Sequence, residues 1–318
     1  MKIVLLDAAT VTNGDIDLSV FLKLGNLTIY DITTPDKVAG RIEEAEAVIC
    51  NKSLITRDAI YSAKHLRYVG LFATGYNNID ICAARELGIT VCNAGSYSTN
   101  SVAQHVFAFI LNYASKVAEY NSFVAQGNWI NSRSFSPFVY DTTELFGKTI
   151  GIFGFGSIGK AVAEIARSFG MNVIASTRTP CTDNRYSYVR FVDFQELLSS
   201  SDFLTVHCPL TDRTACLFDS KAFSAMKKGC YFINTSRGGV LDENALLDAL
   251  ESSHLAGAAI DVLTEEPMRR DCPLYGAPNI TITPHVAWAP YETRKRLIDI
   301  VFGNLRNFIS GTPTNVVS

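Results

Sequence analysis

Short apolar runs alternate with segments of helical periodicity along almost the whole chain. The runs predict strands in two series, at 3–6, 28–31, 47–50, 67–71 and 89–92, and then at 149–153, 172–175, 203–206, 230–234, 257–261 and 280–283. Strands that are separated by helices form parallel sheets, and the helices cover both faces of each sheet. The chain is therefore predicted to be an α/β protein with two doubly wound parallel-sheet domains.

The size and charge of the chain narrow the classes to which it can belong. Its 318 residues suffice for two domains, and 47% hydrophobic residues exclude a disordered or fibrous chain. A formal net charge of −3 argues against nucleic acid as the main ligand, because no excess of basic residues is available to neutralise phosphates. We expect no membrane partner either, since the apolar runs are far shorter than a spanning helix.

The eight cysteines show neither a disulfide pattern nor a metal-binding pattern. No two of them form a C-x-x-C pair, and most lie in apolar runs. We interpret them as small buried hydrophobic residues in a reducing compartment, and we expect no metal site. The N-terminus leads directly into the first predicted strand without the apolar stretch of a signal peptide, so the expected location is the cytoplasm.

A glycine-rich turn follows the strand predicted at 149–153 and precedes the helical run at 161–169. Residues 149–160 read TIGIFGFGSIGK. Gly154 permits a tight turn, Gly156 lets the backbone approach a pyrophosphate, and Gly159 lets the helix pack closely on the strand. N–H groups at the start of the helix would meet the phosphate charge. This order predicts a Rossmann domain that binds a dinucleotide cofactor through Gly154, Phe155, Gly156, Ser157, Ile158 and Gly159.

The next predicted strand, at 172–175, lacks the acid that normally binds the ribose 2′-hydroxyl of NAD. Ser176, Thr177 and Arg178 follow it instead. These side chains can donate hydrogen bonds and positive charge to a 2′-phosphate, which a carboxylate would repel. We therefore expect NADP or NAD as the cofactor, with NADPH favoured. In the alternative interpretation, Arg178 stacks on the adenine and selects neither cofactor.

Three further segments carry a family resemblance. They read INTSRGGVLDENAL at 233–246, AAIDVLTEEP at 258–267 and NITITPHVAWA at 279–289. With the glycine turn they resemble the D-isomer-specific 2-hydroxyacid dehydrogenases, and GLFATGYNNID and GSYSTNSVAQHVFA are similar to the glycerate dehydrogenase/hydroxypyruvate reductase branch. The resemblance extends over nearly the whole chain. It implies a flavodoxin-like substrate domain in addition to the Rossmann cofactor domain.

The resemblance implies a catalytic Arg, Glu and His, which correspond to Arg237, Glu266 and His285. Reduction of a 2-keto acid needs a hydride from the cofactor and a proton for the carbonyl oxygen. His285 is expected to supply the proton, because an unperturbed imidazole titrates near neutral pH. Glu266 would favour the imidazolium and orient the ring, and Arg237 would bind the substrate carboxylate. An expendable surface ion pair between Arg237 and Glu266 is the alternative.

The resemblance also implies contacts to the substrate outside these three residues. A turn at Ala73, Thr74 and Gly75 would present backbone N–H groups to the substrate carboxylate. Trp288 would wall the substrate pocket, or alternatively pack in the core.

Further cofactor contacts are expected along the second series of strands. The resemblance implies that Pro209 lies near the adenine, Thr235 beside the cofactor and Asp261 near the nicotinamide carboxamide. The full set of these expected contacts is His207, Pro209, Thr214, Thr235, Ser236, Asp261 and His285.

The region between the two series predicts a different organisation. Residues 99–120 have the periodicity of one long helix, and residues 121–147 form an irregular arm rich in Asn, Ser and aromatic residues. Aromatic residues on this arm favour a subunit interface, with an ordinary surface excursion as the alternative. We therefore expect a homodimer. The expected substrate domain comprises 1–98 plus 287–318, and the dinucleotide-binding domain comprises 99–286 with dimerisation arm 121–147.

The expected function is that of an NAD(P)H-dependent D-2-hydroxyacid dehydrogenase. It would reduce small 2-keto acids, hydroxypyruvate to D-glycerate and glyoxylate to glycolate, with a histidine as general acid. A dehydrogenase for another substrate, such as D-lactate or 3-phosphoglycerate, is one alternative, and a dehydrogenase-like nucleotide-sensing corepressor is another. Formate dehydrogenases of this superfamily carry Gln where Glu266 stands, which disfavours that branch.

Overall fold

The strands form two parallel sheets, one in each of two units of the chain. The computed structural model describes residues 1–318. The first unit comprises Met1–Ser98 and Trp288–Ser318, and the second comprises Thr99–Ala287. We expected Ala287 to begin the returning segment, but it lies in the second unit, where its backbone N–H donates to Asp261.

The strands and helices alternate as the sequence predicts. The strands are β1 Lys2–Leu5, β2 Asn26–Ile29, β3 Ala47–Cys50, β4 Tyr68–Leu71, β5 Thr90–Cys92, β6 Thr149–Phe153, β7 Asn172–Ser176, β8 Arg190–Phe191, β9 Phe203–Val206, β10 Tyr231–Asn234, β11 Gly257–Ile260 and β12 Ile280–Ile282. The helices are α1 Pro35–Ile42, α2 Arg57–Ser62, α3 Ile81–Glu86, α4 Thr99–Ser115, α5 Val117–Ala125, α6 Ser157–Ser168, α7 Phe194–Ser200, α8 Ser220–Ala225, α9 Glu243–Glu251 and α10 Tyr291–Ile309. Short 3₁₀ helices occur at Ala8–Thr10, Ser19–Lys23, Asn184–Tyr186 and Gly238–Val240.

The first unit is a five-stranded parallel sheet in the order β2-β1-β3-β4-β5. This is the strand order of flavodoxin-like sheets. The central strands β3 and β4 are buried along their whole length, because helices cover both faces. One face packs against α1, α2 and α3, and the other packs against the long C-terminal helix α10.

The second unit is a seven-stranded parallel sheet in the order β12-β11-β10-β9-β6-β7-β8. The strand order reverses between β6 and β9, and ligands of open α/β sheets bind at such a switch point, outside the carboxyl ends of the strands. The prediction of two doubly wound parallel-sheet domains is confirmed. Every predicted strand is present, and only the two-residue strand β8 was missed.

The prediction of one helix over 99–120 is wrong. Lys116 adopts a left-handed conformation with φ of 51°, which ends α4 at Ser115, and α5 then continues to Ala125. The Lys116 ammonium lies 4.9 Å from the ring centroid of Tyr113 and 3.6 Å from the carboxylate of Glu119. The irregular part of the expected arm therefore begins only after Ala125.

No helix combines the length and hydropathy needed to cross a membrane.

Candidate active site

In the glycine turn between β6 and α6, Gly154 and Gly159 are tightly packed, whereas Gly156 faces open space. A Cβ on Gly154 would lie 2.7 Å from the carbonyl oxygen of His207, and one on Gly159 would lie 2.3 Å from the carbonyl oxygen of Gly154. Gly154 also has φ of +95°, which side chains rarely adopt. A Cβ on Gly156, by contrast, would meet no atom within 4 Å. The backbone at Gly156 and the start of α6 thus border open space, as phosphate binding at a helix N-terminus requires.

The end of β7 lies beside this turn. The N–H of Gly154 donates to the carbonyl oxygen of Ser176 at 2.9 Å, which fixes the end of β7 against the turn. Two residues further on, Arg178 is exposed. The following acid in the sequence, Asp183, is paired with Arg185 at 2.6 Å rather than with Arg178. Arg178 is therefore exposed just past the end of β7, and the first acid that follows it in the sequence is paired with another residue.

His207 follows β9 and carries a buried polar atom without a partner. Its Nε2 lies 2.9 Å from the hydroxyl of Thr205, whereas its Nδ1 is buried and has no hydrogen-bond partner. Burial lowers the pKa of His207 to about 3, so the ring is neutral at physiological pH. An unpaired buried nitrogen is costly, and a bound ligand is one of the ways to satisfy it.

The loop after His207 is held by its own side chains. The hydroxyl of Thr214 donates to the carbonyl oxygen of Pro209 at 2.7 Å and accepts from the N–H of Thr211 at 2.8 Å. Thr214 therefore stabilises the loop that carries Pro209. Its hydroxyl is engaged within that loop.

The turn after β10 carries Arg237 and is organised by a buried residue that sequence reasoning missed. Oδ1 of Asn234 accepts from the N–H of Ser236 at 2.9 Å and from its hydroxyl at 2.8 Å, and Nδ2 donates to the carbonyl oxygen of Arg237 at 2.9 Å. An amide at the end of the apolar strand YFIN was the only signal in the sequence. Thr235 lies in the same turn, and its buried hydroxyl has no partner.

The Arg237 turn packs directly on the loop that carries Glu266. A Cβ on Gly238 would lie 1.9 Å from the carbonyl carbon of Leu263 and 2.2 Å from the nitrogen of Thr264. Leu263 in turn donates its N–H to Oε1 of Glu266 at 3.0 Å. Backbone packing at Gly238 therefore brings the Arg237 turn and the Glu266 loop together.

Glu266 and His285 form a close pair. Oε2 of Glu266 lies 2.7 Å from Nδ1 of His285. The two side chains are 35% and 26% exposed, so the pair is partly shielded from water but accessible to a small molecule. His285 adopts a left-handed backbone conformation with φ of 55°. For a residue other than glycine this conformation is uncommon, and surrounding contacts must hold it.

Asp261 supplies the contacts that hold the backbone of His285 in this conformation. Its carboxylate is 1% exposed and accepts from the N–H of Val286 at 2.8 Å and from the N–H of Ala287 at 2.9 Å. Its carbonyl oxygen accepts the N–H of His285 at 2.8 Å. We expected Asp261 to contact the nicotinamide. The structure gives it the further role of holding the loop around His285.

The remaining predicted substrate contacts belong to the first unit. After β4, the carbonyl oxygen of Ala73 accepts from the N–H of Ala94, and the carbonyl oxygen of Thr74 accepts from the side-chain amide of Asn93. The Thr74 hydroxyl donates to the carbonyl oxygen of Gly95. The N–H groups of Ala73, Thr74 and Gly75 donate to no other backbone group of the chain. Trp288 is half-buried and packs edge-on against Tyr97, with ring centroids 6.3 Å apart.

Comparison with known proteins gives a consistent result. The model of the D-isomer specific 2-hydroxyacid dehydrogenase family, NAD binding domain, matches residues 107–287. The chain is 40% identical over 323 residues to a hydroxypyruvate reductase of Blautia hydrogenotrophica, with 100% of both chains covered. It is 35% identical over 291 residues to a glycerate dehydrogenase of Methylorubrum extorquens, covering 91% of this chain and 90% of that one. The structure of an acyclic imino acid reductase in complex with NADPH and D-Arg matches with a TM-score of 0.87 at 28% identity over the whole of both chains.

Proposed function

The chain belongs to the D-isomer-specific 2-hydroxyacid dehydrogenases, in the glycerate dehydrogenase branch, and on this basis we propose that it reduces hydroxypyruvate to D-glycerate. Reduction of glyoxylate to glycolate is the second proposed reaction. The observation that carries the proposal is the 2.7 Å pair between Glu266 and His285 beside the Arg237 turn. A carboxylate, an imidazole and a guanidinium are the groups that reduction of a 2-keto acid requires.

His285 is the proposed general acid. When bound, the reduced nicotinamide supplies the hydride for C2 of the substrate. His285 gives its Nε2 proton to the carbonyl oxygen, because Nδ1 is engaged by Glu266. The Glu266 carboxylate fixes the plane of the ring through its contact with Nδ1.

The substrate carboxylate is bound by positive charge and by backbone donors in this proposal. Arg237 offers a planar fork that fits a carboxylate, and it also stabilises charge that develops on the carbonyl oxygen. The N–H groups of Ala73, Thr74 and Gly75, which are not used by the backbone, are the proposed additional donors. Trp288 is proposed to restrict the pocket to small acids.

The cofactor is a nicotinamide dinucleotide, and we propose that NADPH is preferred. The open backbone at Gly156, the orphan Nδ1 of His207 and the unpaired Thr235 hydroxyl fit such a group. The preference for NADPH is supported by the exposed Arg178, which follows β7 where an acid would select NAD. We also propose, from the eight free cysteines, a reducing location such as the cytoplasm.

The quaternary structure is proposed to be a homodimer formed through the 121–147 arm. Phe135 and Phe138 on this arm are 89% and 95% exposed. Ile130 is also almost fully exposed. A cluster of exposed large apolar side chains on an irregular segment is typical of a surface covered by a partner, and a second copy supplies the same surface.

A substrate panel tests the proposed function. The decay of NADPH and NADH absorbance is followed with hydroxypyruvate, glyoxylate, pyruvate and 3-phosphohydroxypyruvate, and His285→Gln serves as the inactive control. We expect the highest kcat/KM with hydroxypyruvate and NADPH. Preference for pyruvate or the phosphorylated acid would assign another substrate, and no turnover of any acid by the wild-type protein would favour the corepressor alternative.

A further inference from the structure

A line of polar contacts runs from the middle of α4 to the buried carboxylate of Asp261. Nε2 of His105 lies 3.0 Å from the hydroxyl oxygen of Thr283 and 3.8 Å from Oδ1 of Asp261. The Thr283 hydroxyl donates to that same Oδ1 at 2.5 Å. Because a hydroxyl has a single hydrogen and Thr283 gives it to the carboxylate, Thr283 can only accept from His105. The network therefore places a hydrogen on Nε2 of His105.

The other side of the Asp261 carboxylate determines the backbone around His285. Oδ1 accepts the N–H of Val286 in addition to the Thr283 hydroxyl, and Oδ2 accepts the N–H of Ala287. These two N–H groups directly follow the left-handed His285. A rotation of the carboxylate would break both bonds and release the loop from the conformation that directs the imidazole toward Glu266.

We propose that His105 and Thr283 are positioning residues for His285 and act through the Asp261 carboxylate. This inference rests on the proposed function, in which His285 is the general acid. Thr283 fixes the rotation of the carboxylate by its hydroxyl bond. His105 fixes the direction of that hydroxyl, and its own ring is held edge-on against Phe109, with centroids 4.5 Å apart. The His105 side chain is only 22% exposed, which limits competition from water for this bond.

A purely structural role predicts a different response to substitution. If His105 only packs against Phe109, a leucine of similar volume preserves that packing and the activity. If His105 positions the Thr283 hydroxyl, leucine fails and glutamine, whose amide N–H can occupy the place of Nε2, succeeds. The same distinction applies to Thr283→Val, which keeps the shape and removes the hydroxyl, and Thr283→Ser, which keeps the hydroxyl.

Steady-state kinetics with hydroxypyruvate and NADPH provide the first test. We expect kcat to fall about 10- to 100-fold in Thr283→Val and about 5- to 10-fold in His105→Leu, as for other residues that orient a functional group indirectly. KM for hydroxypyruvate and Kd for NADPH, measured by its fluorescence, should stay within about twofold. Thr283→Ser and His105→Gln should recover most of the lost kcat. Asn112→Ala, an exposed position on α4, is the matched control.

The double variant His105→Leu/Thr283→Val tests whether His105 acts only through Thr283. If His105 acts through Thr283, the double variant should be no slower than Thr283→Val alone, because the contact that His105 supports is already absent. Multiplicative losses would overturn this order of action. Equal losses in Thr283→Ser and Thr283→Val, or full activity in His105→Leu, would overturn the proposal itself.

Amide hydrogen exchange gives a readout that needs no turnover. We expect exchange at Val286 and Ala287 to become faster in both Thr283→Val and His105→Leu, with the exchange of α6 unchanged. Unchanged exchange at Val286 and Ala287 would contradict the proposal even if kcat fell. If the wild-type protein turned over no 2-keto acid, the proposed function would be refuted. Faster exchange at Val286 and Ala287 in the two variants would still support the positioning network.

Discussion

Gly238 lies so close to Leu263 that an added Cβ would stand 1.9 Å from the Leu263 carbonyl carbon. This contact joins two segments that bear functional groups, since Arg237 precedes Gly238 and Glu266 accepts the N–H of Leu263. Glycine is required here by the close approach of two backbones, because the dihedral φ of Gly238 is not in the left-handed region. The separation of Arg237 from the Glu266–His285 pair therefore depends on the absence of a side chain at position 238.

Gly238→Ala should disable the enzyme without unfolding it completely. The methyl group must push the Arg237 turn away from the Glu266 loop, and a displacement of about 1 Å can cost about 100-fold in rate. We expect kcat/KM for hydroxypyruvate to fall by at least that factor and the melting temperature to fall, as measured by kinetics and scanning fluorimetry. Gly239→Ala is the matched control, since its Cβ would meet only the flexible end of Leu210. Equal effects of both substitutions would contradict the explanation.

Removal of the imidazole and of its partner should slow the chemical step to different extents. His285→Gln is expected to lower kcat by about 10²- to 10⁴-fold, the usual contribution of a general acid. Glu266→Gln keeps an acceptor for the Leu263 N–H but replaces the carboxylate oxygen that orients the His285 ring, so a loss of about 10- to 100-fold is expected. NADPH affinity, measured by fluorescence titration, should change little in either variant. Turnover of His285→Gln within a few-fold of wild type would show that another group donates the proton.

Arg178 should determine the preference between the two cofactors. A charge-assisted hydrogen bond to a 2′-phosphate contributes about 1.5–3 kcal/mol, so Arg178→Ala should lower kcat/KM for NADPH about 10- to 100-fold and leave that for NADH nearly unchanged. Thr177→Asp should lower it further by repulsion and improve NADH. Arg185→Ala, which removes a guanidinium already paired with Asp183, is the matched control. Equal losses with both cofactors in Arg178→Ala would support adenine stacking instead.

The sequence predicted those features that depend on neighbours in the chain. The strand–helix alternation determined both sheets, and Gly154, Gly156 and Gly159 have the tight, open and packed environments that their spacing indicates. Residues placed directly after strands, such as Arg237, could also be assigned to the edge where such sheets bind ligands.

Several features that the sequence did not predict depend on contacts between distant segments. His105 and Thr283 are 178 residues apart, so neither position alone indicates a shared role. The loop organised by Asp261 arises in the same way, because its buried carboxylate accepts N–H groups 25 and 26 residues further along the chain. The turn organised by Asn234 is local instead, since its side chain bonds Ser236 and Arg237, and the amide at the end of YFIN was its only signal. The break at Lys116 has no glycine or proline to mark it, which is why one helix was expected there.

The exposed aromatic residues of the 121–147 arm should control the oligomeric state. Light scattering after size exclusion is expected to give twice the chain mass of 34.8 kDa for the wild-type protein. Phe135→Ser/Phe138→Ser removes two large apolar side chains from the proposed interface and should shift the mass to that of one chain at low micromolar concentration. Tyr275→Ser, at an exposed aromatic residue outside the arm, should leave the mass unchanged. A wild-type protein of single-chain mass would refute the dimer.

His207 should make the folded protein sensitive to mild acid. Its folded-state pKa of about 3 lies below the unfolded value of about 6.5, so the unfolded chain binds a proton first as the pH falls. The stability that the neutral ring contributes is therefore fully present above pH 6.5 and decreases progressively toward pH 3. Between pH 7 and pH 5 this linkage amounts to about 2 kcal/mol.

The comparison of two glutamine variants isolates this contribution. His207→Gln can keep a hydrogen bond to Thr205 but does not titrate, so its melting temperature should fall less than that of wild type when the pH is lowered from 7 to 5. The difference should be about 4–8 °C for a unit of this size. His65→Gln, at an exposed histidine, should show the wild-type dependence. If His207→Gln and the wild-type protein lost stability in parallel, His207 would bind its proton equally readily in the folded and the unfolded protein. Burial would then not lower its pKa.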